Sequence, residues 1–287
     1  MKLSIITVNL NNLTGLQKTI ESAFSQLWQN FEFIIIDGAS TDGSKEFLEK
    51  LSLIEIKPKP QIQLKWISEP DSGIFNAMNK GIGLATGEYL LFLNSGDFLV
   101  SENVLDNSIK ENPFTTDFVC AKCAISNNGK IEFVTNPPEV FTFKDFFGTT
   151  LAHQSTFIKK ELFNRFGPYR EDLKLKGDWE FFVRTIILNK CTTANTNVIL
   201  SNFNIQGQSA NPSNKTLQVY EMKKIYEETV LNRFVPDYEY YTKCLADMKV
   251  YFWARRKKAL NQLILALYKT ARLFSSAKKN KNHNLQK

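Results

Sequence analysis

The sequence predicts an α/β fold: a mostly parallel sheet flanked by helices, followed by a helical C-terminal extension. Three observations predict it. Apolar, β-branched runs alternate with helical-period segments through the first hundred residues. Polar residues gather just past the end of each such run. The alternation breaks near Thr116, and beyond residue 214 only helical signals remain.

Residues 3–8 have the pattern of a buried strand. Thr14 is a candidate cap for a helix that spaces Leu16, Ile20, Ala23, Phe24 and Leu27 on one face. Residues 31–36 make a second buried strand ending at Asp37, and a loop of small residues, 38–44, leads into a helix to about Leu51. Residues 63–68, 75–85 and 88–93 continue as strand, helix and strand. This order requires parallel strands with crossover helices on both faces. Ligands of such sheets bind beyond the carboxyl ends of the strands. Thr7, Asn9, Asp37, Glu69, Asp71, Asn94, Ser95 and Asp97 all fall there. Any one of them also suits a turn or a cap; four strand ends in succession mark a site.

Further along, residues 118–125 and 130–135 flank Asn127-Asn128-Gly129 and read as a hairpin. Residues 161–166 form a short helix stopped by Gly167-Pro168. A helix runs over 178–188, and 192–200 and 202–205 are candidate strands. Residues 206–214, rich in Gly, Ser, Asn and Pro, read as a mobile loop, either a lid or a linker. The expected organisation is one domain over 1–214, divided near 115/116 into two halves, and an extension over 215–287.

The formal net charge is +7, but it is unevenly placed. No acid follows Asp247, whereas 11 of the 36 basic residues do. The body therefore holds 25 basic against 29 acidic residues, which argues against a nucleic-acid-binding surface. A 43% hydrophobic and 23% charged composition excludes wholesale disorder. No apolar run reaches the ~18–20 residues that span a bilayer, and residues 1–9 are too short an apolar start for a signal peptide. A cytosolic location is the expectation. The Cys120–Cys123 pair lacks a second CxxC or a nearby His, so reduced structural thiols are expected over a zinc site.

No GxGxxG follows the first strand, and there is no P-loop. A phosphate-bearing ligand needs another device, such as a divalent metal on a carboxylate. Four blocks carry a resemblance: Ser4–Asn9, Ile36-Asp37-Gly38-Ala39-Ser40-Thr41-Asp42-Gly43-Ser44, Glu69-Pro70-Asp71-Ser72-Gly73 running on to Gly81, and Gly87–Asp97. In order and spacing they resemble family 2 glycosyltransferases of the GT-A fold, in their bacterial colanic-acid and O-antigen form, over about residues 3–210.

The resemblance implies an inverting transfer of sugar from a nucleotide-diphospho-sugar to a hydroxyl of a cell-surface polysaccharide precursor. A UDP-sugar is the first expectation and a GDP-sugar the second; the acceptor is a glycan or a lipid-linked glycan. Thr7, Asn9 and Asp37 match nucleotide-pocket positions, and Asp71 one near the base and ribose. Lys80 faces either phosphate or solvent, and Asn94 and Ser95 adjoin the donor. The family's Asp-x-Asp reads Asn94-Ser95-Gly96-Asp97 here, so Asp97 is the expected ligand for Mg²⁺ or Mn²⁺. Relatives with a second acid at position 38 contact the nucleobase there; Gly38 removes that contact.

Asp178, in Gly177-Asp178-Trp179-Glu180, matches the general base, which removes the acceptor proton as its oxygen attacks the anomeric carbon. His153, Trp179 and Glu180 are acceptor-side candidates; each also has a purely structural reading.

In the tail, Leu260, Leu263, Ile264, Leu267, Tyr268, Ala271 and Phe274 form an apolar stripe flanked by cations. Residues 248–287 therefore suit the anionic inner face of the cell membrane, or packing against protein, with 277–287 disordered. The rival readings are a catalytically weak scaffold that binds nucleotide or membrane, and a sugar-nucleotide pyrophosphorylase. The second lacks its glycine-rich basic loop after the first strand.

Overall fold

This computed structural model describes residues 2–53, 62–147, 150–205, 212–258 and 260–267. Strands β1 (Leu3–Asn9), β2 (Phe31–Asp37), β3 (Gln63–Ser68) and β4 (Tyr89–Phe92) alternate with helices α1 (Leu13–Phe24), α2 (Ser44–Leu53) and α3 (Ile74–Leu84). Then follow β5 (Phe98–Leu99), α4 (Val104–Glu111), β6 (Phe118–Asn127), β7 (Lys130–Val134), α5 (Phe143–Phe146), β8 (Thr156–Lys159), α6 (Glu161–Phe166), α7 (Gly177–Phe182), β9 (Thr193–Asn204), α8 (Lys215–Glu228) and α9 (Val235–Arg255).

Among the described residues these strands form one nine-stranded sheet, ordered β3-β2-β1-β4-β8-β6-β9-β5, with β7 on β6. The β3-β2-β1-β4 half is wholly parallel. Antiparallel β8 then joins β4 to β6, and β9 lies parallel to β6. The fold is α/β of the GT-A kind, with a helical C-terminal region.

Every residue of β1 and β2 is buried, as expected of central strands covered on both faces. Each buried Ile or Leu there contributes roughly 1.5–3 kcal/mol. One charge sits within this core. Glu32 on β2 accepts hydrogen bonds from Ser4 Oγ (2.5 Å), Lys65 Nζ (2.8 Å) and the Gly87 backbone N–H (3.1 Å). Burial opposes its ionisation, but the bonds from Lys65, Ser4 and Thr86 outweigh that and hold its pKa at about 2. Glu32 thereby ties three strands and the turn before β4 into one register.

Several local expectations change. Asn12, not Thr14, caps α1: its side chain accepts from the Gly15 N–H at 3.1 Å. The helix stops at Phe24, which leaves Leu27 outside it and 56% exposed. Residues 193–204 form one continuous strand instead of two, because β6 and β5 pair along its length. The helix expected over 178–188 is α7 followed by a π-helical turn, Val183–Leu188. Cys120, Cys123 and Cys191 are free and buried, while Cys244 on α9 is half-buried. Burial lifts the Cys120 thiol to about 12 and the Cys123 thiol to about 11.

The chain divides into two compact units, Met1–Ile225 and Tyr226–Lys287. The first runs past the expected boundary at 214 because α8 buries Glu221 and Ile225 within it. In the second, α9 has no buried residue. Most of the loop read over 206–214, and Tyr268, Ala271, Phe274 and 277–287 of the tail, lie outside the described residues.

Candidate active site

The carboxyl ends of β1, β2 and β3 are knit by one carboxylate. Asp37 accepts from Asn9 Nδ2 (2.8 Å), from the Ser40 N–H (3.0 Å) and Oγ (2.6 Å), and from Ser68 Oγ (2.7 Å). Burial favours its neutral form, yet the bonds from Ser40, Ser68 and Asn9 together lower its pKa. Asp37 is fully buried, as is Thr7, whose hydroxyl donates to the Leu93 carbonyl at 2.7 Å. Both were expected to line the nucleotide pocket. Enclosed as they are, they form a buried floor under the strand ends and present no surface of their own. Ser40 and Ser68 escaped the sequence reading; only the Asp-x-x-Ser spacing of a turn hinted at Ser40.

Asp71 stands over this floor, and Gly38 makes room for it. A Cβ at position 38 would lie 2.6 Å from Asp71 Oδ2 and 3.2 Å from Leu10. Gly38 therefore does more than delete an acid: it lets another carboxylate close in from the third strand end. Asp71 Oδ1 also accepts from the Gly73 N–H (2.9 Å), in the turn that opens α3. Lys80 binds the Pro70 carbonyl (2.9 Å) and Glu69 Oε1 (2.8 Å). Its ammonium braces this loop.

Past β4, the Ser95 carbonyl accepts from Asn12 Nδ2 at 3.0 Å, so the α1 cap also fixes the Asn94–Asp97 turn. Gly96 there has φ +104°, a conformation that favours glycine. Thr19 holds the turn from beneath through the Asp97 carbonyl at 2.7 Å.

The turn meets the second half of the domain at His153. Asn94 Nδ2 lies 3.3 Å from His153 Nε2, and His153 Nδ1 lies 3.0 Å from Asp178 Oδ2. With Nδ1 protonated, the ring donates to Asp178 and accepts from Asn94. Burial works against an imidazolium, but the hydrogen bond and charge of Asp178, with the charge of Asp97, raise the His153 pKa. His153 and Asp178 keep 17% and 12% side-chain exposure, so neither is fully enclosed. Asp178 is not the cap of α7; its Oδ1 accepts from the adjacent Trp179 N–H at 2.8 Å.

Asp97 is 7% exposed, and among the described residues its carboxyl accepts no hydrogen bond. Burial raises its pKa to about 7, offset in part by His153. Asn94 Oδ1 is likewise buried without a hydrogen-bond partner among the described residues. These are two hard oxygen donors of the kind that suits Mg²⁺ or Mn²⁺. No group of three or more His, Cys, Asp or Glu gathers among the described residues.

The other two acceptor-side candidates are enclosed. Trp179 has no exposed surface, and its indole N–H donates to the Phe146 carbonyl at 2.8 Å, so no sugar can stack on it. Glu180 is bound bidentately by Arg184 at 2.9 and 3.0 Å. A cavity of about 350 Å³ lies between the β6–β7 side of the sheet and residues 141–152. Phe146, which holds Trp179, and Ala152, which precedes His153, both line it.

The comparisons with known proteins agree with this architecture. The sequence profile of Glycosyl transferase family 2 matches residues 4–170. An uncharacterized glycosyltransferase of Mycobacterium tuberculosis is 27% identical over 220 residues, 71% of this chain and 75% of the relative. A PGL/p-HBAD biosynthesis glycosyltransferase of Mycobacterium bovis is 29% identical over 212 residues, 72% and 78% respectively. Two solved structures share the fold. S. aureus TarS 1-349 in complex with UDP superposes with a TM-score of 0.55 at 18% identity, covering 71% of this chain and 60% of TarS 1-349. The Pyrobaculum calidifontis mannosyltransferase PcManGT, in complex with GDP-Man and Mn2+, gives 0.57 at 15%, covering 79% and 63%. This chain thus spans a little under two thirds of either structure's length. The profile match covers more than half of the chain, which is a glycosyltransferase belonging to glycosyl transferase family 2.

Proposed function

We propose that this chain moves a sugar, with inversion, from a nucleoside-diphosphate donor to a hydroxyl of a cell-surface polysaccharide precursor. The observation that carries the reading is the Asn94–His153–Asp178 chain of hydrogen bonds, which joins the donor-side turn to the expected base. His153 orients the Asp178 carboxylate. An acceptor hydroxyl beside Asp178 gives its proton to that carboxylate. The freed oxygen pair attacks the anomeric carbon, and the sugar–phosphate bond breaks on the opposite face, its electrons leaving with the diphosphate. Asn9, Asp71 and Ser95 border the donor side, Asp71 nearest the ribose and base. Asp97 and Asn94 Oδ1 would hold Mg²⁺ or Mn²⁺, which supplies positive charge to the departing diphosphate.

TarS was also solved with UDP-GlcNAc, and PcManGT with GDP-Man, which supports a UDP-sugar first and a GDP-sugar second. A thermal-shift screen of UDP-, GDP-, CMP- and dTDP-sugars with Mn²⁺ tests the donor, because a ligand of the native state raises its apparent stability. Stabilisation by one nucleotide class is expected; no shift with any of them would overturn the donor assignment.

We also propose attachment at the cytoplasmic membrane face through residues 248–287. No described helix is long and apolar enough to cross a membrane. Support comes from Tyr251, Phe252 and Trp253, which are exposed on α9, and from Leu260, Leu263 and Leu267, exposed beyond it. Arg255, Arg256, Lys257 and Lys258 lie between these two groups, and each basic residue near an anionic surface contributes about 1 kcal/mol. Reversing these four charges should abolish binding to phosphatidylserine vesicles and leave transfer in solution intact; unchanged binding would refute the attachment.

A further inference from the structure

Glu221 carries no motif and lies beyond the family match, yet it is among the most enclosed acids of the domain, 2% exposed. Its carboxylate accepts from three consecutive backbone N–H groups: Lys174 at 2.6 Å, Leu175 at 3.0 Å and Lys176 at 3.0 Å. Lys176 is the residue that precedes α7, and Asp178 is the second residue within it. These donors come before the helix and have no helical partner to fall back on. Losing the carboxylate would leave all three N–H groups without their acceptor.

The same short strap is pinned twice more. Lys174 Nζ reaches the Ser72 carbonyl at 2.6 Å, one residue from Asp71 on the donor side. At its other end Gly177 packs so closely on Phe75 that a Cβ would lie 2.8 Å from the ring. A second anchor from α8, Lys224 to Asp172 at 2.6 Å, fixes the segment just upstream. Strap 174–177 thus spans the distance from the Asp71 loop to Asp178, and α8 grips its backbone.

We propose that Glu221 is a positioning residue: by chelating the backbone of residues 174–176 it sets the aim of Asp178 at the acceptor hydroxyl. The inference rests on the reading of Asp178 as general base. Glu221 touches no substrate. Its effect runs through the backbone, and a displacement of about 1 Å at a reacting group can cost 100-fold in rate. Glutamine keeps the shape of the side chain but turns an amide donor toward N–H groups that need an acceptor.

The test is a cycle of Glu221→Gln, Asp178→Asn and the double variant. It reads kcat, donor KM, nucleotide-induced thermal shift, and amide exchange over residues 173–182. Glu221→Gln should lower kcat by about 10- to 100-fold, keep donor KM within about twofold, keep the nucleotide shift, and speed exchange in that segment. Added to Asp178→Asn, it should cost almost nothing more, since the group it aims is already disabled. Unchanged kcat and exchange in Glu221→Gln, or a loss that multiplies with that of Asp178→Asn, would overturn the positioning role. Wild-type turnover in Asp178→Asn with a slow Glu221→Gln would instead refute Asp178 as the base, and with it the link between the two.

Discussion

His153 Nδ1 and Asp178 Oδ2 are 3.0 Å apart, joining a 3-10 turn, His153–Ser155, to the first turn of α7. The pair fixes one carboxylate oxygen while neither side chain is fully enclosed. Replacing Asp178 by Asn should lower kcat by about 10²- to 10⁴-fold, the range of a positioned acid–base group. Donor KM and the unfolding midpoint should change little. His153→Gln should be milder, because the carboxylate survives and only its orientation loosens. Steady-state kinetics and thermal unfolding on the same preparations check both, and near-normal turnover in Asp178→Asn would remove the base assignment.

Neither the Asp97 carboxyl nor Asn94 Oδ1 has a hydrogen-bond partner among the described residues. Chelation with EDTA should therefore stop transfer, and Mn²⁺ should restore it. Asp97→Asn should raise the Mn²⁺ concentration for half-maximal rate by at least about 10-fold. Titration of activity against free Mn²⁺ reads this directly. Turnover indifferent to EDTA would show that Asp97 holds no required ion.

Gly38 leaves the space that Asp71 fills, with a hypothetical Cβ only 2.6 Å from Oδ2. Gly38→Ala should push Asp71 aside and weaken nucleotide binding by about tenfold, some 1.4 kcal/mol. Because the acid network on Asp37 remains, the unfolding midpoint should move far less than the affinity. Calorimetric titration with the nucleotide identified in the thermal-shift screen measures it, and unaltered affinity would detach Asp71 from the donor.

Glu32 gives the fold a specific acid weakness. Its pKa is depressed in the folded state, from 4.5 to about 2. Its stabilising contribution is therefore complete above about pH 4.5 and is lost as pH falls towards 2. Glu32→Gln should flatten the acid limb of a stability–pH curve across that window. At neutral pH it should also lower stability by about 1–3 kcal/mol, since Lys65 and the turn before β4 lose an acceptor. Denaturant unfolding at several pH values decides the matter.

The first two strands were legible because central strands covered on both faces must be apolar runs, and residues 3–8 and 31–36 are marked off by polar ends. Asp178 and Asp97 stood out for the same reason: they end or begin elements inside recognisable blocks. What a linear pattern conceals is pairing at long range. Nothing at residue 153 announces a bond to residue 178 or to residue 94, and nothing in α8 announces that Glu221 will hold a strap 45 to 47 residues upstream. Burial reversed other readings. Thr7, Asp37 and Trp179 sit at or beside the site in sequence but are closed off by neighbours that only the fold supplies.

Three of the four cysteines are buried, two of them with thiols pushed to about 12 and about 11, whereas Cys244 on α9 is half-buried. Reaction with an electrophile requires an accessible thiolate. A maleimide fluorophore at neutral pH should accordingly couple first at Cys244, with no substitution needed. The wild-type chain thereby carries its own optical reporter on the second unit, and a change in that dye's emission with added vesicles would follow membrane encounter in real time.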